Sequence, residues 1–450
     1  MLTLPQGFVD RMKQQLGDEA DAFFSILDTP SPTSIRHHHL KGKSPFHAEE
    51  KVRWCDHGYY LLERPFFHMD PHWHGGAYYV QEASSMIMDY ILSQVSLPDH
   101  PRIFLDLCAA PGGKTGILAK QLRPCDVLVA NEVVHQRRAV LRENLIKGGY
   151  LNTFISGEPA SSFRDPFADL ILIDAPCAGE GMMRKDPEAI RQWSPSLVHS
   201  CAVMQQQIVH HAIKGLKQDG ILIYSTCSYS MEENMDNIRY FMDEYPLESV
   251  SISFPDEWGI QKLEQKEATG YQLYPHRIKG EGLFVAVLKN TGTNETPWFK
   301  PNKAPKLFED LHGWLDDHLS NASDFRILKN SPTHQLISKE AEEKAIEVLT
   351  YLRGAELLAE AGERKGKDFI PSHFMAMAGL YDEGTGIIDV TLSDALDYLE
   401  RSTTSLPQGK DPGWYIIRFE GTDLGWAKWT LQGWKNHYPM NWRLRDRRTK

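Results

Sequence analysis

Between Arg102 and Lys289, short apolar runs alternate with longer stretches of helical periodicity, and this alternation points to a parallel α/β sheet. The runs are RIFLDLC, DVLVANEV, NTFIS, ADLILIDAP and GILIYSTC. Helical stretches such as HQRRAVLRENLIKGG and PSLVHSCAVMQQQIVHHAIKGL lie between them. A last run, GEGLFVAVLKN, follows a turn signal rather than a helix and is expected to enter antiparallel. Strand count alone does not separate one doubly wound sheet from another. The strand ends have to do that.

Around this unit, 77–290, three further segments are expected. Residues 1–76 form an N-terminal α/β extension that opens on an acid-bearing amphipathic helix rather than a leader. Tyr79 to Val95 carries a helical apolar stripe through Ala83, Met86, Ile87 and Ile91. Residues 291–325, with TGTNETPWFKPNKAPK, read as a linker, polar and Pro-containing. Residues 326–450 read as an independent unit, with a helix near Ala341 to Ala361 and β-hairpins in GWYIIRFEGTDLGWAKWTLQGW.

Composition narrows the class. Six cysteines (Cys55, Cys108, Cys125, Cys177, Cys201, Cys227) lack disulfide or C-x-x-C metal spacing, so free thiols in a reducing, cytoplasmic setting are expected. No apolar run approaches membrane-spanning length. A net charge of −11 argues against indiscriminate coating of nucleic acid, but not against a specific RNA enzyme with a local basic stripe. Arg443, Arg445, Arg447, Arg448 and Lys450 form one such stripe, which reads equally as a solvated tail.

Asp106 to Thr115, DLCAAPGGKT, leaves a strand and enters a helix. Such a Gly-rich turn lets a ligand reach the backbone. A phosphate-binding P-loop would need glycine where Cys108 stands. A dinucleotide fingerprint would need G-x-G-x-x-G, and the turn has Pro111, Gly112, Gly113 and Gly116. The next strand ends in Asn131-Glu132, where an acid commonly holds the hydroxyls of a nucleoside ribose.

Two more strand ends carry chemistry: Asp174-Ala175-Pro176-Cys177 and Ser225-Thr226-Cys227-Ser228. Neighbouring parallel strands present their carboxyl ends to one crevice, so two thiols and a carboxylate should meet beside the turn. Cys55, Cys125 and Cys201 read instead as structural. Carbon 5 of cytosine is too poor a nucleophile to take a methyl from a sulfonium unaided. A thiolate adding to carbon 6 activates it, an acid near ring nitrogen 3 assists, and a base later removes the carbon 5 proton. Lys114 and the sulfonium would lower the thiol pKa.

At these residues the chain resembles the NOL1/NOP2/sun family of RNA 5-methylcytosine methyltransferases, and within it the RsmF-type bacterial 16S rRNA enzymes. YYVQEASSM, DLCAAPGGKT, DAPCAGEGMMRKDP, YSTCSYSMEEN and YPHRIKGEGLFVAVL carry the resemblance, together with GWAKWTLQGWKNHYP, similar to that group's PUA-like RNA-binding module. The resemblance implies a class I, Rossmann-like methyltransferase sheet, a C-terminal PUA-like module, S-adenosyl-L-methionine as cofactor and RNA as substrate. That RNA is expected to be 16S rRNA in the small ribosomal subunit, with tRNA as the alternative. A monomer working without metal or membrane is expected. Cys227 becomes the nucleophile and Cys177 the residue that serves product release, with Asp174 and Lys114 completing the catalytic set. DNA enzymes use the Pro-Cys cysteine instead. Cofactor contacts carried over are Cys108, Ala109, Ala110, Pro111, Gly112, Gly113, Lys114, Glu132, Arg137 and Asp174. One departure is that the family's acid after the third strand is missing from Ser156-Gly157-Glu158-Pro159, and Glu158 is not taken as a site.

The remaining features read as structure. His37-His38-His39 and its neighbours lack ligand spacing for a metal. Most of Trp414, Trp426, Trp429, Trp434 and Tyr438 are expected in a small core, near Lys428, Lys435 and Asn436. A non-enzymatic scaffold would have lost Cys227 or the Gly-Gly-Lys turn. An amino-methylating enzyme would show an Asn/Asp-Pro-Pro-Tyr strand end instead of Asp-Ala-Pro-Cys.

Overall fold

A computed structural model describes residues 3–41, 46, 50–293, 305–311, 313, 315, 318–329, 331, 333–366, 368–402 and 411–445. The expected basic stripe lies outside them from Asp446 onward, as does most of the expected linker motif.

The chain begins with α1 (Gln6–Leu16) and α2 (Ala20–Leu27). The single helix expected here breaks at Gly17, whose φ of 55° glycine adopts readily. Four strands come next, β1 (Thr33–His37), β2 (Glu50–Lys51), β3 (Gly58–Leu61) and β4 (Tyr78–Val80), paired antiparallel in the order β2-β3-β1-β4. A short helix, α3 (Pro71–His74), precedes β4. The helix expected from Tyr79 starts only at α4 (Ile87–Gln94), after a 3₁₀ turn over Ser84–Met86. Tyr78, Tyr79 and Val80 belong to β4, because aromatic and β-branched residues fit the pleat opposite Ile35, Arg36 and His37 better than a helix.

All five apolar runs are strands: β5 (Ile103–Asp106), β6 (Val127–Asn131), β7 (Thr153–Ser156), β8 (Ala168–Asp174) and β9 (Leu216–Thr226). They are parallel neighbours in the order β9-β8-β5-β6-β7. The connecting helices are α5 (Gly113–Lys120), α6 (His135–Gly148), α7 (Pro187–Gln192), α8 (Pro195–Gly215) and α9 (Met235–Glu244). Beyond β9 come β10 (Leu247–Ser249), β11 (Gln261–Gln265), β12 (Ala268–Leu273) and β13 (Leu283–Asn290). The last pairs antiparallel with β9, and the antiparallel side extends further through β12 and β11. The order in which strands are added reverses between β5 and β8, so the crevice at this Rossmann-like switch point opens above Asp106 and Asp174.

The C-terminal part of the chain is less separate than its composition break implies. It contains β14 (Phe308–Asp310), β15 (Phe325–Leu328), β16 (His334–Ser338), β17 (Glu356–Leu357), β18 (Glu360–Lys365) and β19 (Asp368–Pro371). The expected helix spans only Glu342–Tyr351, because Glu356-Leu357 leaves it to pair with β7, Leu357 opposite Phe154. Phe308, Ile337, Ala345, Val348, Leu352 and Leu357 are buried in the same core as Ile103, Leu105, Val127 and Val129 of the central sheet. The chain closes with β20 (Gly386–Asp389), β21 (Gly413–Phe419), β22 (Thr422–Thr430) and β23 (Gly433–Asn436), the last three joined as the expected hairpins.

The N-terminal extension also touches this last sheet. His72 Nδ1 meets Thr422 Oγ1 at 2.7 Å, and His74 Nδ1 meets Tyr438 Oη at 3.1 Å. Lys147 of α6 lies 4.1 Å from the Trp73 ring centre.

A chain ending at Asn290 therefore strips apolar cover from β6 and β7, and we expect it to aggregate or melt without cooperativity. Leu352→Ala in the full chain should cost about 2–5 kcal/mol, the range for a buried leucine, and lower the melting temperature of the whole catalytic sheet. Calorimetry checks both. A truncated chain with an unchanged, cooperative transition would show that the shared core is not needed.

Candidate active site

The turn after β5 is fixed from several sides. Thr115 Oγ1 donates to Asp106 Oδ2 at 2.7 Å, and the Ala109 N–H donates to the Asn131 carbonyl at 2.9 Å. From α6, Arg137 donates to the Ala110 carbonyl at 2.8 Å and Asn144 to that of Pro111 at 2.8 Å. Gly112 has φ of 112°, and a Cβ there would sit 3.2 Å from Leu141 Cδ1. The backbone conformation favours glycine at this position, and an added Cβ would also press on Leu141.

Above the turn is a pocket of about 180 Å³ lined by Cys108, Ala109, Ala110, Pro111, Gly113, Lys114 and Asp174. Tyr79, Val80, Gln81, Glu82, Ser85 and Asp106 complete its wall. These last were not expected, although YYVQEASSM and the first residue of DLCAAPGGKT lay in plain view. Tyr79, Val80, Gln81, Glu82 and Ser85 come from a strand and turn that only folding brings against β5, whereas Asp106 ends β5 itself. Gly112, Glu132 and Arg137 stand outside this lining. Glu132 is 3% exposed, accepts the Val134 N–H at 2.9 Å and pairs with Arg137 at 3.3 Å. Glu158 accepts from Ser162 Oγ at 3.0 Å beside a separate open cleft with Arg138 and Ser156.

The pocket is acidic. Asp106 is buried, its Oδ1 has no hydrogen-bond partner, and burial pushes its pKa up to about 7. Burial, reinforced by Asp106, Asp174 and Glu132, also raises the Cys108 thiol. An unpartnered carboxylate oxygen among acids suits a cationic or hydrogen-bond-donating ligand.

Asp174 ends β8 directly opposite Ser225 of β9. Its Oδ1 accepts from Ser225 Oγ at 3.0 Å and pairs with Lys114 Nζ at 2.8 Å. Burial pulls the Lys114 pKa down, but Asp174 and the neighbouring Cys227 outweigh it and the net shift is upward. Cys177 Sγ and Cys227 Sγ are 2.7 Å apart. The hydrogen bond to Cys227, then burial, then the Cys227 and Glu233 charges hold the Cys177 thiol well above its ordinary value.

Two buried glutamates hold both cysteine loops. Glu233 accepts the Ala178 N–H at 3.0 Å, Gln205 at 2.8 Å and Ser228 Oγ at 2.7 Å, thus gripping the residue after each cysteine. Glu180 accepts the Tyr229 N–H at 2.9 Å and Trp193 Nε1 at 2.7 Å, and pairs with Arg11 of α1. The Gly181 N–H donates to the Cys227 carbonyl at 2.7 Å, and a Cβ on Gly181 would stand 2.9 Å from that oxygen. Among the described residues, no group of three or more His, Cys, Asp or Glu is arranged to hold a metal, and no helix is long and apolar enough to cross a membrane.

Glu233→Ala would orphan the Ala178 N–H and one of the two Gln205 Nε2 hydrogens, the other still donating to the Pro176 carbonyl. We expect at least about 1–3 kcal/mol of lost stability, with Glu233→Gln recovering part of it, read from urea midpoints. Equal midpoints for wild type and Glu233→Ala would remove the glutamate's bridging role.

Comparison with known proteins identifies the family. Three family models match: the 16S rRNA methyltransferase RsmB/F over residues 94–289, the N-terminal domain of 16S rRNA methyltransferase RsmF over 4–83, and the methyltransferase RsmF PUA domain over 385–444. The ribosomal RNA small subunit methyltransferase F of Aeromonas hydrophila is 30% identical over 410 residues, covering 87% of this chain and 84% of that protein. The protein of the same name from Vibrio atlanticus is 29% identical over 97% of both chains. Among solved structures, a methyltransferase homologue from Pyrococcus horikoshii superposes with a TM-score of 0.53 at 28% identity, over 64% of this chain and 96% of that one. With two strand-end thiols, an acidic pocket at the switch point and identity at this level across most of its length, the chain belongs to the RsmF family of S-adenosylmethionine-dependent ribosomal RNA small-subunit methyltransferases.

Proposed function

We propose that this enzyme methylates carbon 5 of cytosine in 16S rRNA, with Cys227 as nucleophile. The observation that carries the reading is the pair of sulfurs 2.7 Å apart, with Lys114 beside Cys227. The contact with Cys227 and burial raise the Cys177 pKa and favour its protonated form, and the family resemblance gives the nucleophile's part to Cys227. Cys227 then adds to carbon 6 of the base, and electron density moves to carbon 5.

S-adenosylmethionine, when bound, supplies the electrophilic methyl. Its sulfonium charge suits the acidic wall of Asp106, Glu82 and Asp174, and the unpartnered Asp106 Oδ1 offers an acceptor. Cys108 to Lys114 would hold it along the turn. Glu132 would accept its ribose hydroxyls once Arg137, 55% exposed, swings aside. Asp174 is placed to assist at ring nitrogen 3, and its ion pair with Lys114 holds it at the junction of pocket and thiols.

Cys177 serves the later step. The largest cause of its raised pKa is the hydrogen bond to Cys227, and that cause, with the Cys227 charge, is lost once Cys227 is bonded to carbon. After methyl transfer a base takes the carbon 5 proton, the electrons of that C–H bond re-form the 5,6 double bond, and the Cys227 sulfur leaves carbon 6, with Cys177 beside it assisting release. In this reading the enzyme acts as a monomer, without metal, in the cytoplasm. The RsmF PUA match and the relatives' names support an RNA substrate, and the small-subunit rRNA in particular.

Cys227→Ala should abolish methylation and covalent complexes together. Cys177→Ala should still attack and methylate but release slowly, leaving an RNA–protein band on a denaturing gel after incubation with 16S rRNA and S-adenosylmethionine. The reverse pattern would move the nucleophile to Cys177.

Gly112→Val should distort the turn against Leu141, and Glu132→Ala should remove an acceptor. Each is expected to weaken S-adenosylmethionine binding by about 1–3 kcal/mol in calorimetry. Wild-type affinity in both, with the fold intact, would displace the cofactor from this pocket.

A further inference from the structure

The last sheet has a face that outruns its cover. On that face Ile416 of β21 and Trp426 of β22 are 0% and 2% exposed, and Trp426 Nε1 donates to the Ser372 carbonyl of the preceding segment at 2.8 Å. Side chains two residues further along each strand share this face. They are Trp414 on β21 and Lys428 on β22, cross-strand partners of one another, and Lys428 is in turn opposite Lys435 on β23. Trp414, Lys428 and Lys435 thus form one row across three strands. None of them is buried.

Beside this row is a groove of about 590 Å³, whose wall also includes Thr430, Gln432 and Asp368. Lys428 Nζ stands 5.2 Å from the Trp414 ring centre and 3.3 Å from Asp368, a 70% exposed carboxylate. Two lysines directly opposite one another repel, which costs stability unless an anion lies between them. Their field is felt at His437, packed 4.6 Å from Trp414: burial first, then Arg401, Lys428 and Lys435, lower its pKa to about 4. An aromatic face flanked by a row of cations is what an unstacked base with its two flanking phosphates requires.

We propose that this groove is a subsite for single-stranded RNA outside the target cytidine. One base stacks against Trp414. The phosphates on either side of it meet Lys428 and Lys435, with phosphate replacing Asp368 as the partner of Lys428, and Thr430 and Gln432 lie within the groove for polar contact. Duplex RNA is excluded because its bases are already stacked and cannot enter. The inference rests on the RNA methyltransferase reading and names where the substrate is held away from the chemistry.

The test uses the full-length enzyme and fluorescein-labelled 12-nucleotide single-stranded RNA, with a duplex of the same sequence as comparison. Trp414→Leu keeps apolar volume but loses the stacking face, and should weaken single-strand binding about tenfold with an unchanged salt slope. Lys428→Ala with Lys435→Ala should weaken binding and reduce the log–log salt slope by about 1.4, roughly 0.7 for each lost phosphate contact. Both should raise KM for 16S rRNA and leave kcat near wild type. The exposed Lys435→Glu is a further variant that leaves the fold untouched, and it should weaken binding as well. Single-strand affinity within twofold of wild type in all three, or equal losses for the duplex, overturns the subsite. If wild type itself neither binds nor methylates RNA, the functional reading fails as a whole. If wild type methylates while the variants keep their KM, only the subsite falls.

Discussion

Strands β8 and β9 run parallel and end level with one another, Asp174 opposite Ser225, so their chain exits emerge side by side from the sheet. Each exit carries a thiol, and nothing in the strands themselves would hold the two sulfurs in contact. Glu233 and Glu180 do so. Both are fully buried, and instead of a shell of water each has N–H and O–H donors from the two loops. A buried carboxylate is costly unless every acceptor site is used, so the loops cannot drift without uncovering it. The same arrangement reaches α1 through Arg11, which ties the first helix of the chain to the cysteine loops.

The opposite half of the crevice is governed by shape. The turn after β5 passes between the pocket and α6, and Gly112, with a φ of 112° and Leu141 close by, stands where the two meet. Arg137 and Asn144 hold the turn's carbonyls from α6, while Arg36 of β1 donates to the Gly113 carbonyl at 3.2 Å. Strand β4 of the N-terminal sheet and the turn after it are therefore part of the pocket wall, through Tyr79, Gln81 and Glu82. Lys114 joins the two halves by pairing with Asp174 next to Cys227.

The five parallel strands, the Gly-rich turn and both cysteine strand ends were legible because each is a local pattern: an apolar run of strand length followed by residues that end it. The unexpected features are those made by long-range pairing. Tyr79 and Val80 looked helical by spacing but follow the edge offered by β1. Glu356-Leu357 looked like helix but completes the sheet beside β7. The aromatics of the last hairpins divide as expected in kind, with Trp426, Trp429 and Tyr438 buried, while Trp414 remains in reach of solvent only because its face runs past the segment that covers Trp426.

Local sequence specifies which groups are available and the order of the strands that carry them: two thiols, a carboxylate, a lysine and a glycine turn, each at the carboxyl end of a run of apolar residues. Periodicity and turn chemistry act over a few residues and can be read directly. Long-range packing is what makes Cys177 and Cys227 touch, sets Glu180 and Glu233 to hold them, leaves one oxygen of Asp106 unpartnered, and merges the C-terminal half with the catalytic core. Those outcomes depend on which distant surfaces exclude water together, and burial of that kind leaves no mark in local spacing.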